Sequence, residues 1–130
     1  MKFIVHSLGK FTNEIYSIMR IVIAVLFASH GVQKLFGALG GHIAHNPKFI
    51  IAGIIEFICG IMIGFGFKTR LAALIASGEM AFAYFTVHYP SSFWPIVNGG
   101  EKAVFYCFIF LFMASYGSGN WSIDSLLKKE

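Results

Sequence analysis

Two carboxylates lie inside long apolar runs, where an acid needs either a partner or a purpose. Glu56 interrupts FIIAGIIEFICGIMIGFGF, and Glu79 interrupts LAALIASGEMAFAYFTV. Each run is close to the ~20 residues that cross a bilayer core as a helix. An unpaired acid at that depth costs at least ~2.5 kcal/mol, so such residues turn toward the bundle interior and mark ligand binding or proton movement. The cations able to meet them stand on an earlier run: Arg20, His30 and Lys34, with Gln33 among them. At ~100° per residue these three basic side chains fall within about 80° of one another. On the second run Gly53, Glu56, Gly60 and Gly64 share an arc, and on the third Ala72, Ala76, Glu79, Ala83 and Thr86 form a stripe. Small residues beside a carboxylate let neighbouring backbones approach, so both acids point at helices and not at lipid. With ~1.5 Å of rise per residue, Glu56 and His30 come to roughly 10 Å below one end of their helices, with Lys34 a turn above His30 and Glu79 nearer the midplane. The expected constellation is His30, Lys34, Glu56 and Glu79, with Gln33 nearby and Arg20 at the inner edge. Such a group can hold a polar ligand, relay protons, or only fix helix register as buried ion pairs.

These side chains require an all-α scaffold: an antiparallel, polytopic membrane four-helix bundle in a single membrane domain, residues 1–130. The apolar runs place the spans at about 15–36, 49–67, 71–88 and 102–116, the last being the shortest. Lys68, Thr69 and Arg70 alone separate the second and third spans, which forces a tight helical hairpin. The other two connections are a glycine-rich stretch running from Gly37 to Pro47 and the loop YPSSFWPIVNGG, whose Tyr89, Phe93 and Trp94 are interface-seeking aromatics. Lys2, Lys10, Arg20, Lys68, Arg70, Lys128 and Lys129 fall on one side, and Lys34, Lys48 and Lys102 on the other. The positive-inside rule then places both termini in the cytoplasm. The N-terminal MKFIVHSLGKFTNE is amphipathic, without an apolar core and small-residue cleavage site, and reads as a retained cytoplasmic or interfacial segment.

Composition excludes several function classes. The chain is 57% hydrophobic and only 12% charged, too little charge to cover a water-exposed globule of 130 residues. Its net charge of +4 is spread over the ends of apolar runs and is no nucleic-acid signal; the expected partner is the lipid bilayer. Cys59 and Cys107 lie mid-span and read as small buried residues, with no C-x-x-C between them. His42 and His45, with His88, could share a metal on the outer face, but ordinary loop histidines are the favoured reading and no metal is expected. His88, Asn98 and Glu101, with Lys102 beside it, stand where they could gate an opening above Lys34, and Asn98 could also cap the last helix, where Glu101 and Lys102 open the first turn. The stripe Ala103, Cys107 and Ala114 could pack against a second copy or inside the chain.

Longer strings carry a family resemblance. HGVQKLFG ends the first span, AGIIEFICGIMIGFGFKTRLAA forms the second and the hairpin, Glu79-Met80-Ala81 lies in the third, and NGGEKA and YGSGNWSID follow. In their order and spacing they resemble the DoxX family of small bacterial membrane proteins, from about Arg20 to Asp124. The matching positions are Arg20, His30, Lys34, Glu56, Arg70, His88, Glu101 and Asp124. The resemblance implies a four-helix bundle in the bacterial cytoplasmic (inner) membrane. It also implies membrane redox chemistry: the family name comes from a subunit of a thiosulfate:quinone oxidoreductase, and other members are linked to oxidative-stress complexes or to catechol and quinone detoxification. The sequence itself has no haem, flavin, Rossmann or iron–sulfur signature, so a bound quinone or a redox enzyme partner would have to carry the electrons. The expected function is therefore a subunit that binds quinone or a small hydrophobic ligand. Whether the chain is itself an enzyme is left open by the sequence, and a proton, ion or small-molecule transporter, or a non-catalytic scaffold for a redox enzyme, are the competing classes.

Overall fold

The computed structural model describes residues 1–128, so Lys129 lies outside the described residues. Among them every regular element is helical: α1 (Lys2–Leu8), a 3-10 turn (Gly9–Phe11), α2 (Thr12–Phe36), α3 (Pro47–Phe65), α4 (Thr69–Ala83) continued by a π turn (Tyr84–His88), α5 (Pro95–Asn98), α6 (Glu101–Tyr116) and α7 (Ile123–Leu127). Three stretches are long and apolar enough to cross a membrane: Lys2–Phe36, Pro47–Phe65 and Thr69–His88. The fourth expected span, α6, has 16 residues and rises only ~24 Å, short of a bilayer core.

Local chemistry sets the ends. Asn46 accepts the backbone N–H of Lys48 at 2.9 Å and Pro47 opens α3, two signals that start a helix. Gly66 stops it in the left-handed region at φ 68°. The hairpin to α4 is thus built from Gly66, Phe67 and left-handed Lys68, not from the expected Lys68-Thr69-Arg70. Thr69 and Arg70 already belong to α4, whose start is set by a carboxylate, described below, that takes up the backbone N–H groups of Lys68 and Thr69.

Helix α2 packs along α3, and α4 along α6, with α3 and α4 joined by the hairpin. Two glycines let the first pair touch backbone to backbone. A Cβ on Gly31 would fall 2.6 Å from the carbonyl oxygen of Gly53 and the amide nitrogen of Phe57. One on Gly60 would fall 2.8 Å from the amide nitrogen of Ala28. The helix pairs close over a core of Phe27, Ile63, Phe110 and Met113, all fully buried. Phe27 meets Phe110 edge-on at 4.7 Å, and Tyr106 stacks on Phe110 at 5.7 Å. The Ala103–Cys107–Ala114 stripe is used inside the chain: Ala103 is buried and Ser77 of α4 donates to the Cys107 carbonyl at 2.8 Å.

Candidate functional site: a polar cavity at one end of the bundle

A cavity of about 520 Å³ lies between the end of α2, the first half of α3, the second half of α4 and the start of α6. Its walls are mainly apolar, from Phe27, Ile55 and Met80 at the bottom to Phe49, Phe82 and Val87 higher up. Into it project His30, Lys34, Glu56, Glu79 and His88, together with Lys48, Lys102 and Tyr106.

The centre is an ion pair. Lys34 donates to both Glu56 oxygens, at 2.9 and 2.6 Å, bridging α2 and α3. Gly53 makes this geometry possible, because a Cβ there would fall 2.9 Å from the Lys34 side chain. Burial is unequal: the Glu56 side chain is 4% exposed and that of Lys34 is 27% exposed. His30, a turn below Lys34, stands edge-on to the Tyr106 ring at 6.0 Å. Glu79 faces the same space from α4, and its Oε2 is buried with no hydrogen-bond partner among the described residues. A buried carboxyl oxygen without a partner is rare and costly, so this atom is open to a ligand or a proton. Below the pair the cavity has a floor, since Phe27, Ile63, Phe110 and Met113 close the bundle beneath it.

Several expected site residues go elsewhere. Arg20 does not reach the inner edge of the constellation. It is completely buried, and its guanidinium donates to Ile63 O at 3.0 Å, Asn120 O at 3.0 Å, Trp121 O at 2.7 Å and Ser118 O. The reason is the chain after α6, which folds back beneath the bundle and presents a row of carbonyls within hydrogen-bond reach of Arg20. Gln33 turns away and donates to Leu39 O at 2.9 Å, which fastens the loop after α2. Of the expected gate residues, His88 and Lys102 line the cavity, His88 with Nδ1 3.2 Å from Asn98 O. Asn98 instead ties its own loop, donating to Ser92 O at 2.8 Å and to the Tyr84 hydroxyl at 3.2 Å. It accepts from Gly100 N at 2.8 Å but does not cap α6, because that amide precedes the helix. Glu101 is exposed in the first turn of α6 and is not among the lining residues. Among the described residues no group of three His, Cys, Asp or Glu side chains is placed to hold a metal.

Sequence reasoning missed Lys48 and Tyr106 as cavity residues and placed Lys102 only at a gate above Lys34. The signal was available on α6, where Lys102, Tyr106 and Phe110 recur every fourth residue and so share one face. Lys48 gave no such signal, since its position at the start of α3 also suits a headgroup anchor.

The opposite end is stapled. Asp124 accepts the backbone N–H groups of Lys68 and Thr69 at 2.8 and 2.9 Å, capping α4, while its own N–H donates to Gly66 O at 2.8 Å. Arg70 donates to Ala114 O, Ser115 O and Tyr116 O, the free carbonyls that end α6. Arg20, Arg70 and Asp124 therefore hold helix ends together and stand apart from the cavity.

An all-helical chain with three membrane-length apolar helices and charged side chains turned into an internal cavity is an integral membrane protein. The family model for DoxX matches residues 15–89, and the chain belongs to the DoxX family. It is similar to an uncharacterized protein of Haemophilus influenzae, 36% identical over 133 residues that cover 96% of this chain and 99% of that one. It is also similar to inner membrane protein YqjF of Escherichia coli, 34% identical over 121 residues, covering 87% of this chain and 92% of that one. No solved structure matches it significantly.

Proposed function

We propose that the cavity binds a quinone or a comparable small hydrophobic ring bearing acceptor oxygens, and that the protein is the binding subunit of a membrane redox system. One observation carries this reading: a ring-sized, largely apolar cavity holds the Lys34–Glu56 pair and an unpartnered Glu79 carboxyl oxygen. Its volume of about 520 Å³ falls within the ~300–1,000 Å³ of ordinary ligand sites. Phe27, Phe49, Phe82 and Tyr106 offer flat walls, while Lys102, His30 and Tyr106 offer donors to ring oxygens. Reduction of a bound quinone to quinol takes two electrons, which a redox enzyme partner would deliver, and two protons, which Glu79 and Glu56 are placed to pass on.

The closed floor favours a ligand site over a conduit, because a proton or ion path would have to breach Phe27, Ile63, Phe110 and Met113. The same reading places the protein in the bacterial inner membrane as a multi-pass, single-domain chain with α6 as a fourth, short span. Both termini and the stapled end then face the cytoplasm, in line with Lys2, Lys10, Lys68 and Arg70 at that end. The test is equilibrium binding of ubiquinone to the purified protein in lipid nanodiscs. Glu56→Gln keeps an acceptor for Lys34, so it leaves thermal stability largely unchanged and weakens binding by about tenfold, the ~1.4 kcal/mol of one charge-assisted contact. Unchanged affinity in both Glu56→Gln and Glu79→Gln would remove the assignment.

A further inference from the structure

The cavity opens at its side, between two helices that are long and apolar enough to cross a membrane. The α3–α4 hairpin holds those helices together at Gly66–Lys68 through the Asp124 staple, but toward the other end the cavity lies between them. Side chains of both helices that line it are also on the outer surface of the protein: Ile51 is 58% exposed on α3 and Phe82 is 60% exposed on α4, with Phe49, Ile75 and Val87 exposed beside them. A lining residue that also looks outward marks the edge of a mouth. Here that edge is apolar on both sides.

One polar side chain lies across it. The Lys48 ammonium sits 5.8 Å from the Phe49 ring centroid on its own helix and 5.8 Å from the Phe82 centroid on the facing one. Its backbone is fixed, because Asn46 takes its N–H and Pro47 precedes it. Only the side chain can swing. Cation–aromatic contacts of this length are weak, about 0.5–1 kcal/mol each where water has access, so the bar opens readily. A neutral alkane passing it gains nothing in return, whereas a molecule with a carbonyl, phenolic or carboxylate oxygen replaces the lost contact with a hydrogen bond to the ammonium. Behind Lys48 the ligand meets Lys102, Tyr106 and the unpartnered Glu79 oxygen.

Resting on the cavity's reading as a ligand site, we propose that its ligand is a lipid-dissolved amphiphile with an oxygen-bearing head, which enters sideways from the membrane between α3 and α4, and that Lys48 is the residue that admits it. The head passes first and seats beside Glu79, and the tail stays in the mouth among Ile51, Ile75, Phe82 and Val87.

The test closes the mouth in intact protein. Lys48→Cys and Phe82→Cys are introduced into a Cys59→Ala, Cys107→Ser background and joined by a short bis-maleimide in nanodiscs. A membrane-dissolved aryl diazirine then reports entry, read as photolabelling of Ile55 and Tyr106 by mass spectrometry. Labelling of both residues before cross-linking and its loss afterwards is the expected result, with Lys48→Met labelled faster than wild type. Undiminished labelling after cross-linking, or slower labelling of Lys48→Met, overturns the lateral route. Added ubiquinone separates the two readings. Competition with the diazirine supports both. Cross-link-sensitive labelling that ubiquinone leaves untouched keeps the route and removes quinone as the ligand.

Discussion

The Lys34–Glu56 pair makes a prediction that depends on which partner is left behind. Removing either residue deletes the same contacts, 2.9 and 2.6 Å, so a reading based on contacts alone expects equal damage. Burial says otherwise. In Lys34→Met the survivor is a carboxyl with a 4% exposed side chain in the middle of α3, left without its cation. Breaking a buried pair in this way costs ~3–5 kcal/mol, and the open mouth of the cavity argues for the lower end, about 3 kcal/mol. In Glu56→Leu the survivor is a 27% exposed lysine two residues from the end of α2. It can extend its stem and place the ammonium among headgroups, so the loss is about 1 kcal/mol or less once solvent screening is allowed for.

The double variant Lys34→Met/Glu56→Leu removes both charges and fills their volume with apolar atoms, which returns stability to within about 1 kcal/mol of wild type. The order expected is wild type, then the double variant and Glu56→Leu close together, then Lys34→Met well below. Reversible unfolding in mixed micelles, followed by circular dichroism against the mole fraction of denaturing detergent, measures all four on one scale. Glu56→Leu as damaging as Lys34→Met, or a double variant no more stable than Lys34→Met, would refute the claim that the buried acid sets the energetics of this site.

Other perturbations test the scaffold. Arg20→Lys keeps the charge but loses the fork that reaches Ile63, Ser118, Asn120 and Trp121, and the same unfolding assay should show a loss of about 3 kcal/mol with ubiquinone affinity unchanged. Gly31→Ala drives a methyl to within 2.6 Å of the α3 backbone and forces the helices apart, at about 2 kcal/mol or more. Asp124→Ala uncaps α4 at Lys68 and Thr69, with an expected loss of about 1–2 kcal/mol and earlier hydrogen exchange at those two amides.

Much of the fold was readable because membrane helices announce themselves through apolar length. The helix ends were readable where a cap left a signature, as at Asn46-Pro47 and Gly66. The hairpin was misplaced by its chemistry: Lys68, Thr69 and Arg70 are the polar residues, yet the backbone turns at Gly66 and Lys68. Phase arithmetic placed His30, Lys34, Glu56 and Glu79 around one space, since a rigid helix turns a residue number into a direction. It misjudged Arg20, because phase says nothing of a non-periodic tail. Residues 117–121 fold back under α2 and supply acceptors that no helical wheel contains. Lys48 escaped for a related reason, since its reach across the mouth depends on how far two helices splay and not on its own position.

That splay links the two ends of the molecule. Helices α3 and α4 leave their hairpin in contact, and nothing in a three-residue turn keeps them at a chosen angle. The angle is set by what is nailed down beneath it. Asp124 holds the first amides of α4 against the tail, Arg70 ties α4 to the last carbonyls of α6, and Arg20 locks the same tail to α2 and to Ile63 of α3. All four long helices are thereby fixed at one end through one short segment, while at the other end the cavity lies between them and the Lys34–Glu56 pair ties α2 to α3. Of the positions that carry the family resemblance, Arg20, Arg70 and Asp124 belong to the fixed end and His30, Lys34, Glu56 and His88 to the open one. A wholly functional reading of that set would expect every member to touch the ligand. The geometry instead divides them into residues that line the cavity and residues that tie the opposite end together, with Glu101 exposed outside both groups. Loosening the staple should then change how fast a ligand comes and goes before it changes how tightly the ligand is held.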